Sequence, residues 1–170
     1  MKYSKRKVLN LIGKALIQKK ETIAVAESVT TGLLQYALGT IENASLFYQG
    51  GITTYNLGQK SKHLNVEPIH AIEVNCVSDK IASQMALEVS HLFHSTWGIG
   101  ITGYSSPVPE AGGKLFCHIA IAYKGQLVKN SCVDANDKDP VEIQEQYLSE
   151  VIHCMKSLLS IDRAETGAPD

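Results

Sequence analysis

The chain has 170 residues, 44% of them hydrophobic and 19% charged, and a formal charge of −1. This is the composition of an ordinary globular protein with one core, not of a disordered or fibrous chain. A near-neutral balance gives no electrostatic basis for nucleic acid or an anionic membrane as partner, and no run approaches the roughly 18 apolar residues of a membrane span.

Arginine occurs only as Arg6 and Arg163, so an anion site in the middle of the chain must use lysine, hydroxyls or backbone amides. The basic start, Met1 to Lys7, runs into a lysine-bearing helical pattern and lacks the apolar stretch of a signal peptide, so a cytoplasmic protein is expected. Cys76, Cys117, Cys132 and Cys154 are widely spaced without a C-x-x-C pair and are expected as buried free thiols.

Val8, Leu11, Ile12, Ala15 and Leu16 recur at helical spacing and predict an amphipathic helix over residues 4–19, with Ser4 as its cap. Thr22–Ala26 is a short apolar run without polar alternation, the pattern of a strand buried on both faces. It ends at Glu27-Ser28, and Thr30-Thr31-Gly32 leads into a helix ending at Gly39, which puts Ser28 at a strand tip. Tyr48–Tyr55 reads as a strand interrupted by Gly50-Gly51, and Asn56–Leu64 as a short helix carrying Lys60.

Ser78 caps a longer predicted helix with Ile81, Ala82, Met85, Val89, Leu92 and Phe93 on its apolar face, followed by a strand at Trp97–Ile101 and a loop from Thr102 to Gly113. Phe116–Tyr123 and Leu127–Val133 flank Lys124-Gly125, a hairpin signal. Asp139-Pro140-Val141-Glu142 opens a final helix over 140–159, and the polar residues 161–170 form a tail expected to fray beyond a single domain of residues 1–160. The order α-β-α-β-α-α-β-β-β-α predicts an α/β fold, a three-layer α/β/α sandwich around a mixed sheet. Ligands of such folds bind at strand ends, where Ser28, Tyr55 and Thr102 are expected.

Ser28 fits two roles. A serine at a strand-to-helix turn is most often the helix cap, and it can also present its hydroxyl as a nucleophile. No G-x-S-x-G elbow supports an ordinary hydrolase triad. Lys60 follows Tyr55 by five residues, so both heads can converge on one crevice; a desolvated lysine can act as base to a serine, though a surface lysine is the commoner outcome. Glu88, His91 and His94 are spaced i, i+3, i+6, which suits a solvated helix face better than a metal site. Neither glycine-rich phosphate-loop pattern is met.

Taken together, Ala26-Glu27-Ser28-Val29-Thr30-Thr31-Gly32, Gly50-Gly51-Ile52-Thr53-Thr54-Tyr55 followed by Lys60, and Gly100-Ile101-Thr102-Gly103 resemble the CinA C-terminal-domain family, the nicotinamide mononucleotide deamidases, over about residues 5–159. The resemblance implies a cytoplasmic, competence- or damage-inducible-type domain, often oligomeric. Its activity would be hydrolysis of the carboxamide of a small-molecule substrate, nicotinamide mononucleotide, without metal or other cofactor. It makes Ser28 the nucleophile, Lys60 its general base, Tyr55 an assisting hydroxyl and Thr102 a site hydroxyl. It also places Glu27, Thr30, Thr31, Gly32, Gly51, Gly103 and Lys138 among the substrate contacts.

The sequence departs from the family pattern in these same stretches. Val29 stands for a cysteine, Thr31 for a glycine and Lys138 for an arginine, and Tyr104 adds bulk after Thr102-Gly103. Three outcomes follow from the sequence: a nucleotide amidase, an amidase acting on another small amide, or a binding paralogue without turnover.

Overall fold

A computed structural model describes residues 3–137 and 139–161. Five strands, β1 (Ile23–Glu27), β2 (Tyr48–Thr53), β3 (Trp97–Gly103), β4 (Phe116–Tyr123) and β5 (Gln126–Asp134), form one sheet in the order β2-β1-β3-β4-β5. β1 pairs in parallel with β2 and β3, whereas β3–β4 and β4–β5 are antiparallel, so the sheet is mixed. The helices are α1 (Tyr3–Lys19), α2 (Leu33–Gly39), α3 (Leu57–Leu64), α4 (Pro68–Glu73), α5 (Asp79–Leu92) and α6 (Pro140–Leu158).

The two faces of the sheet carry different side chains, and the layers follow from that. Ile23, Val25, Ile99, Ile101, Ile119 and Ile121 point to one face and pack with Leu9, Ile12 and Leu16 of α1, Leu34 and Leu38 of α2, and Tyr147 and Val151 of α6. Ala24 and Ala26 of β1 point the other way, against Leu64 of α3, Ala71 of α4 and Ile81, Met85 and Val89 of α5. Next to them, Ala120 and Ala122 meet Ala82 and Ala86. Small residues on this second face let α5 approach closely: a Cβ on Gly100 would stand 2.2 Å from the Ala82 carbonyl oxygen, and one on Gly98 2.1 Å from that of Ala86. Helices on both faces of a mixed sheet make the expected three-layer α/β/α sandwich.

Several expectations are corrected. α1 begins at Tyr3, so Ser4 lies within its first turn and does not precede it as a cap. α4 was not expected; Glu67 caps it by accepting from the amides of Ile69 and His70, with Pro68 at the first helical position. β3 continues through Gly103, because Thr102 and Gly103 pair with His118 and Cys117, and the loop beyond contains a 3-10 turn at Pro109–Ala111. α5 ends at Leu92, and His94 turns away at φ 49, so Glu88, His91 and His94 do not share one helix. Of the cysteines, Cys117 and Cys154 are buried, Cys76 is half-buried and Cys132 on the edge strand β5 is exposed. The expected tail lies outside the described residues from 162 onward. No helix among the described residues is long and apolar enough to cross a membrane.

Candidate active site at the carboxyl ends of the parallel strands

β2, β1 and β3 are parallel neighbours, and residues at or just past their carboxyl ends line a cavity of about 380 Å³ that includes Ser28, Tyr55, Lys60, Cys76, Thr102 and Tyr104. This is the strand-end crevice where open α/β folds place ligands. Lys60 is the one charged side chain among the described residues lining it.

β1 ends at Glu27 and hands Ser28 to the cavity. Ser28 does not cap α2: the cap position is Gly32, which makes no side-chain cap bond, and the helix terminus is held by Glu27 instead. The buried Glu27 carboxylate accepts from the amides of Gly32, Leu34 and Gln35 at 3.1, 3.0 and 2.8 Å and from the Thr30 hydroxyl at 2.5 Å. A negative group at that end is favoured by the unpaired amides and the helix dipole.

Asn56 caps α3 by accepting from the Gln59 amide, which sets Lys60 one turn into the helix on its inward face. Lys60 is 1% exposed, and its ammonium donates to Ser28 Oγ at 2.8 Å and to the Thr54 carbonyl at 2.7 Å. Burial pushes its pKa down to about 8, with the neighbouring Cys76 thiol working in the opposite direction. The circuit closes on itself, because the Thr54 amide donates to the Glu27 carbonyl at 2.8 Å.

Tyr55 stands just past β2 at the cavity rim, 71% exposed. Thr102 is buried, and its hydroxyl donates to the Cys76 carbonyl at 2.9 Å, fastening the α4–α5 connection to β3. Gly103 lines the cavity beside it. Glu27, Thr30 and Gly51 sit behind the site instead of facing it: Glu27 and Thr30 bond each other, and Gly51 packs where a Cβ would stand 2.6 Å from the Val25 side chain. Thr31, at φ 49, and Gly32, at φ 105, form the turn into α2 outside the cavity lining. Lys138 lies outside the described residues. No group of three or more His, Cys, Asp or Glu side chains among the described residues is placed to hold a metal ion.

Asn75 and Cys76 line the site without having been expected there. They follow α4 in left-handed conformations, φ 49 and 60, and the Asn75 amide group donates to the Tyr104 hydroxyl at 3.2 Å across the cavity mouth. The sequence carried a signal for this wall: Glu67-Pro68 opens a helix, and asparagine is tolerated in the left-handed region.

Residues 5–159 match the CinA C-terminal domain. The chain belongs to this family. Protein MG115 of Mycoplasma genitalium is 33% identical over 154 residues, covering 89% of this chain and 98% of that protein. A CinA-like protein of Cyanothece is 36% identical over 116 residues, 68% of this chain, and the chain spans only 27% of that relative's length. Among solved structures, the competence damage-inducible protein A of Klebsiella pneumoniae superposes with a TM-score of 0.87 at 21% identity, covering 92% of this chain and 98% of that one. A CinA superfamily protein of Enterobacter cloacae gives 0.87 at 23% identity, with 94% of each chain covered. At these identities the two structures share the CinA fold with this chain.

Proposed function

We propose that this CinA domain is an amidohydrolase of the nicotinamide mononucleotide deamidase type, working through Ser28 and Lys60. One observation carries the reading: a lysine sealed from water meets a serine hydroxyl at 2.8 Å on the wall of the cavity. A buried lysine whose pKa falls to about 8 is partly unprotonated near neutrality, which is the condition for a general base. In that neutral form the contact reverses, and Ser28 donates to Nζ.

The chemistry follows. Ser28 Oγ bonds to the carboxamide carbon as its proton passes to Lys60, and the carbonyl electron pair moves onto oxygen. When the carbonyl re-forms, the carbon–nitrogen bond breaks, and the lysine proton goes to the departing nitrogen, which leaves as ammonia. Water then attacks the acyl ester, giving its proton to Lys60, and the proton returns to Ser28 Oγ as the acid is released. Tyr55 is the assisting hydroxyl at the rim, and Thr102 braces the opposite wall. In this reading the partner is a small amide, nicotinamide mononucleotide, the chains assemble as a homo-oligomer in the cytoplasm, and no cofactor is called on.

A second reading, a different small amide, is supported by Tyr104, whose ring narrows the cavity mouth and whose hydroxyl is tied to Asn75. The test is release of ammonia and nicotinic acid mononucleotide by the purified protein beside Ser28→Ala. Turnover that disappears in the variant supports the first reading. Turnover only with other amides supports the second, and none with any amide overturns both.

A further inference from the structure

Two walls of the cavity leave the sheet on neighbouring strands, and both are fastened to one helix. Ser28 and Val29 follow β1, while Thr102 and Gly103 end β3 and Tyr104 follows them. At the sheet edge the Ser28 amide still donates to the Ile101 carbonyl at 3.1 Å. Further out the strands no longer pair, and side chains of α6 take over: Gln144 Nε2 donates to the Val29 carbonyl at 2.9 Å, and the Tyr147 hydroxyl to the Tyr104 carbonyl at 2.8 Å. Each is the one donor to its carbonyl among the described residues.

Gln144 and Tyr147 stand at i and i+3 of α6, so they are neighbours on one helix face. The helix is seated without them, because Ile143, Leu148 and Val151 are buried in the core and Asp139 caps its start by accepting from the Val141 amide. Neither side chain lines the cavity, yet both reach the backbone of residues that do. Burial pushes the Tyr147 phenol pKa up, so it stays a donor across the range in which the protein can be assayed.

We propose, resting on the serine–lysine reading above, that Gln144 and Tyr147 are positioning residues of the site: Gln144 holds the Ser28 turn in register with Lys60, and Tyr147 holds the Tyr104 wall. Without the Gln144 donor, the Val29 carbonyl turns to find another partner, which rotates the peptide beside Ser28 and displaces its Oγ. A misplacement of about 1 Å costs on the order of 100-fold in rate. Without the Tyr147 hydroxyl, the Tyr104 ring keeps its contact with Phe116 but its backbone loses a tie, and the mouth widens.

The test labels Ser28 with two fluorophosphonates, a small one bearing a methyl group and a bulky one bearing a naphthyl group. In each, Ser28 Oγ bonds to phosphorus as fluoride leaves, and the hydroxyl proton passes to Lys60. Gln144→Met, which keeps the reach of the side chain and removes the donor, is expected to slow both labels by about tenfold or more and to lower kcat for nicotinamide mononucleotide in parallel, with KM within about threefold. Gln144→Glu, which sets an acceptor against the carbonyl, is expected to lose at least as much. Tyr147→Phe is expected to speed the bulky label relative to the small one by about threefold or more.

Gln144 variants labelled within about threefold of the wild-type rate, or Tyr147→Phe with an unchanged ratio of the two labels, overturn the proposal and leave α6 a packing helix. If wild type is labelled at Ser28 but leaves nicotinamide mononucleotide intact, the substrate reading fails and the labelling rates decide the proposal by themselves. If wild type is neither labelled nor active, Ser28 is no nucleophile and both fall.

Discussion

Lys60 and Ser28 are 32 positions apart in the chain, and their polar atoms meet at 2.8 Å inside the protein. Burying an ammonium is unfavourable unless it is paired, and this one finds a hydroxyl and a carbonyl but no carboxylate. The pair therefore works against stability, and its presence is explained by chemistry better than by packing.

Lys60→Met is expected to separate these two roles. General-base removal lowers the rate by about 10²–10⁴-fold. A shift from 10.5 to about 8 corresponds to roughly 3 kcal/mol of destabilisation while the lysine is charged. Losing the bond to the Thr54 carbonyl takes back about 1–3 kcal/mol. The variant should therefore be inactive yet melt at or slightly above the wild-type temperature at pH 7, as thermal melts alongside ammonia assays will show. A drop of many degrees would mean that Lys60 is a structural strut.

The same group sets a pH dependence. Its folded pKa lies below its unfolded one, so between about 8 and 10.5 the unfolded chain binds more protons, and stability from this group rises with pH across that window. With Lys60 as the proposed base, activity would need the neutral amine, so kcat/KM is expected to climb tenfold per pH unit and level off above about pH 8. A profile flat from pH 6 to pH 9, an interval that brackets the expected midpoint, would remove Lys60 from the role of base.

Gly100→Ala tests the close approach of α5. The new Cβ would stand 2.2 Å from the Ala82 carbonyl oxygen and 2.6 Å from the Ala86 amide nitrogen, both backbone atoms that cannot swing aside. The expected cost is about 1–3 kcal/mol, read as a lower denaturation midpoint in urea. An unchanged midpoint would show that α5 can slide.

Much of the fold was legible because its elements are strongly periodic or strongly punctuated. Thr22–Ala26 has no polar side because both faces of β1 are covered, and Lys124-Gly125 marks the hairpin. α4 was missed because its six residues leave Ile69 and Ile72 69% exposed and bury Ala71, which is no periodic signal. In the site, Ser28 and Lys60 were placed by a resemblance, since spacing alone favoured a cap and a surface lysine. What turns Lys60 inward is the Asn56 cap and the Thr54 carbonyl, contacts that exist only once β2 is beside β1. The resemblance put Glu27 among the substrate contacts, whereas alternation along β1 turns its side chain into the start of α2, a placement visible only once β1 and α2 are packed together.

Thr31→Gly is expected to stabilise the protein. Thr31 is exposed and sits at φ 49, where a β-branched residue is strained by about 1–2 kcal/mol. Glycine relieves this and gives back about 0.4–1 kcal/mol through the freedom of the unfolded chain. The net gain is about 0.5–1 kcal/mol, visible as a higher melting temperature with kcat unchanged within about twofold. A lower melting temperature would show that the threonine side chain makes a contact worth more than the strain.

Tyr104 is fixed on three sides: its hydroxyl accepts from Asn75 at 3.2 Å, its ring meets Phe116 edge-on at 5.5 Å, and its carbonyl accepts from the Tyr147 hydroxyl at 2.8 Å. On the proposed amidase reading, a wall held on three sides is expected to select by size. Tyr104→Ala opens the mouth, so kcat/KM for nicotinamide mononucleotide relative to nicotinamide is expected to rise by about tenfold or more, the scale that a change of pocket volume commands. Tyr104→Phe loses the bond to Asn75 and keeps the wall, so its ratio should stay within about threefold of wild type. Competition assays with both amides check the pair. A ratio that falls in Tyr104→Ala would mean that the ring holds the nucleotide instead of restricting it.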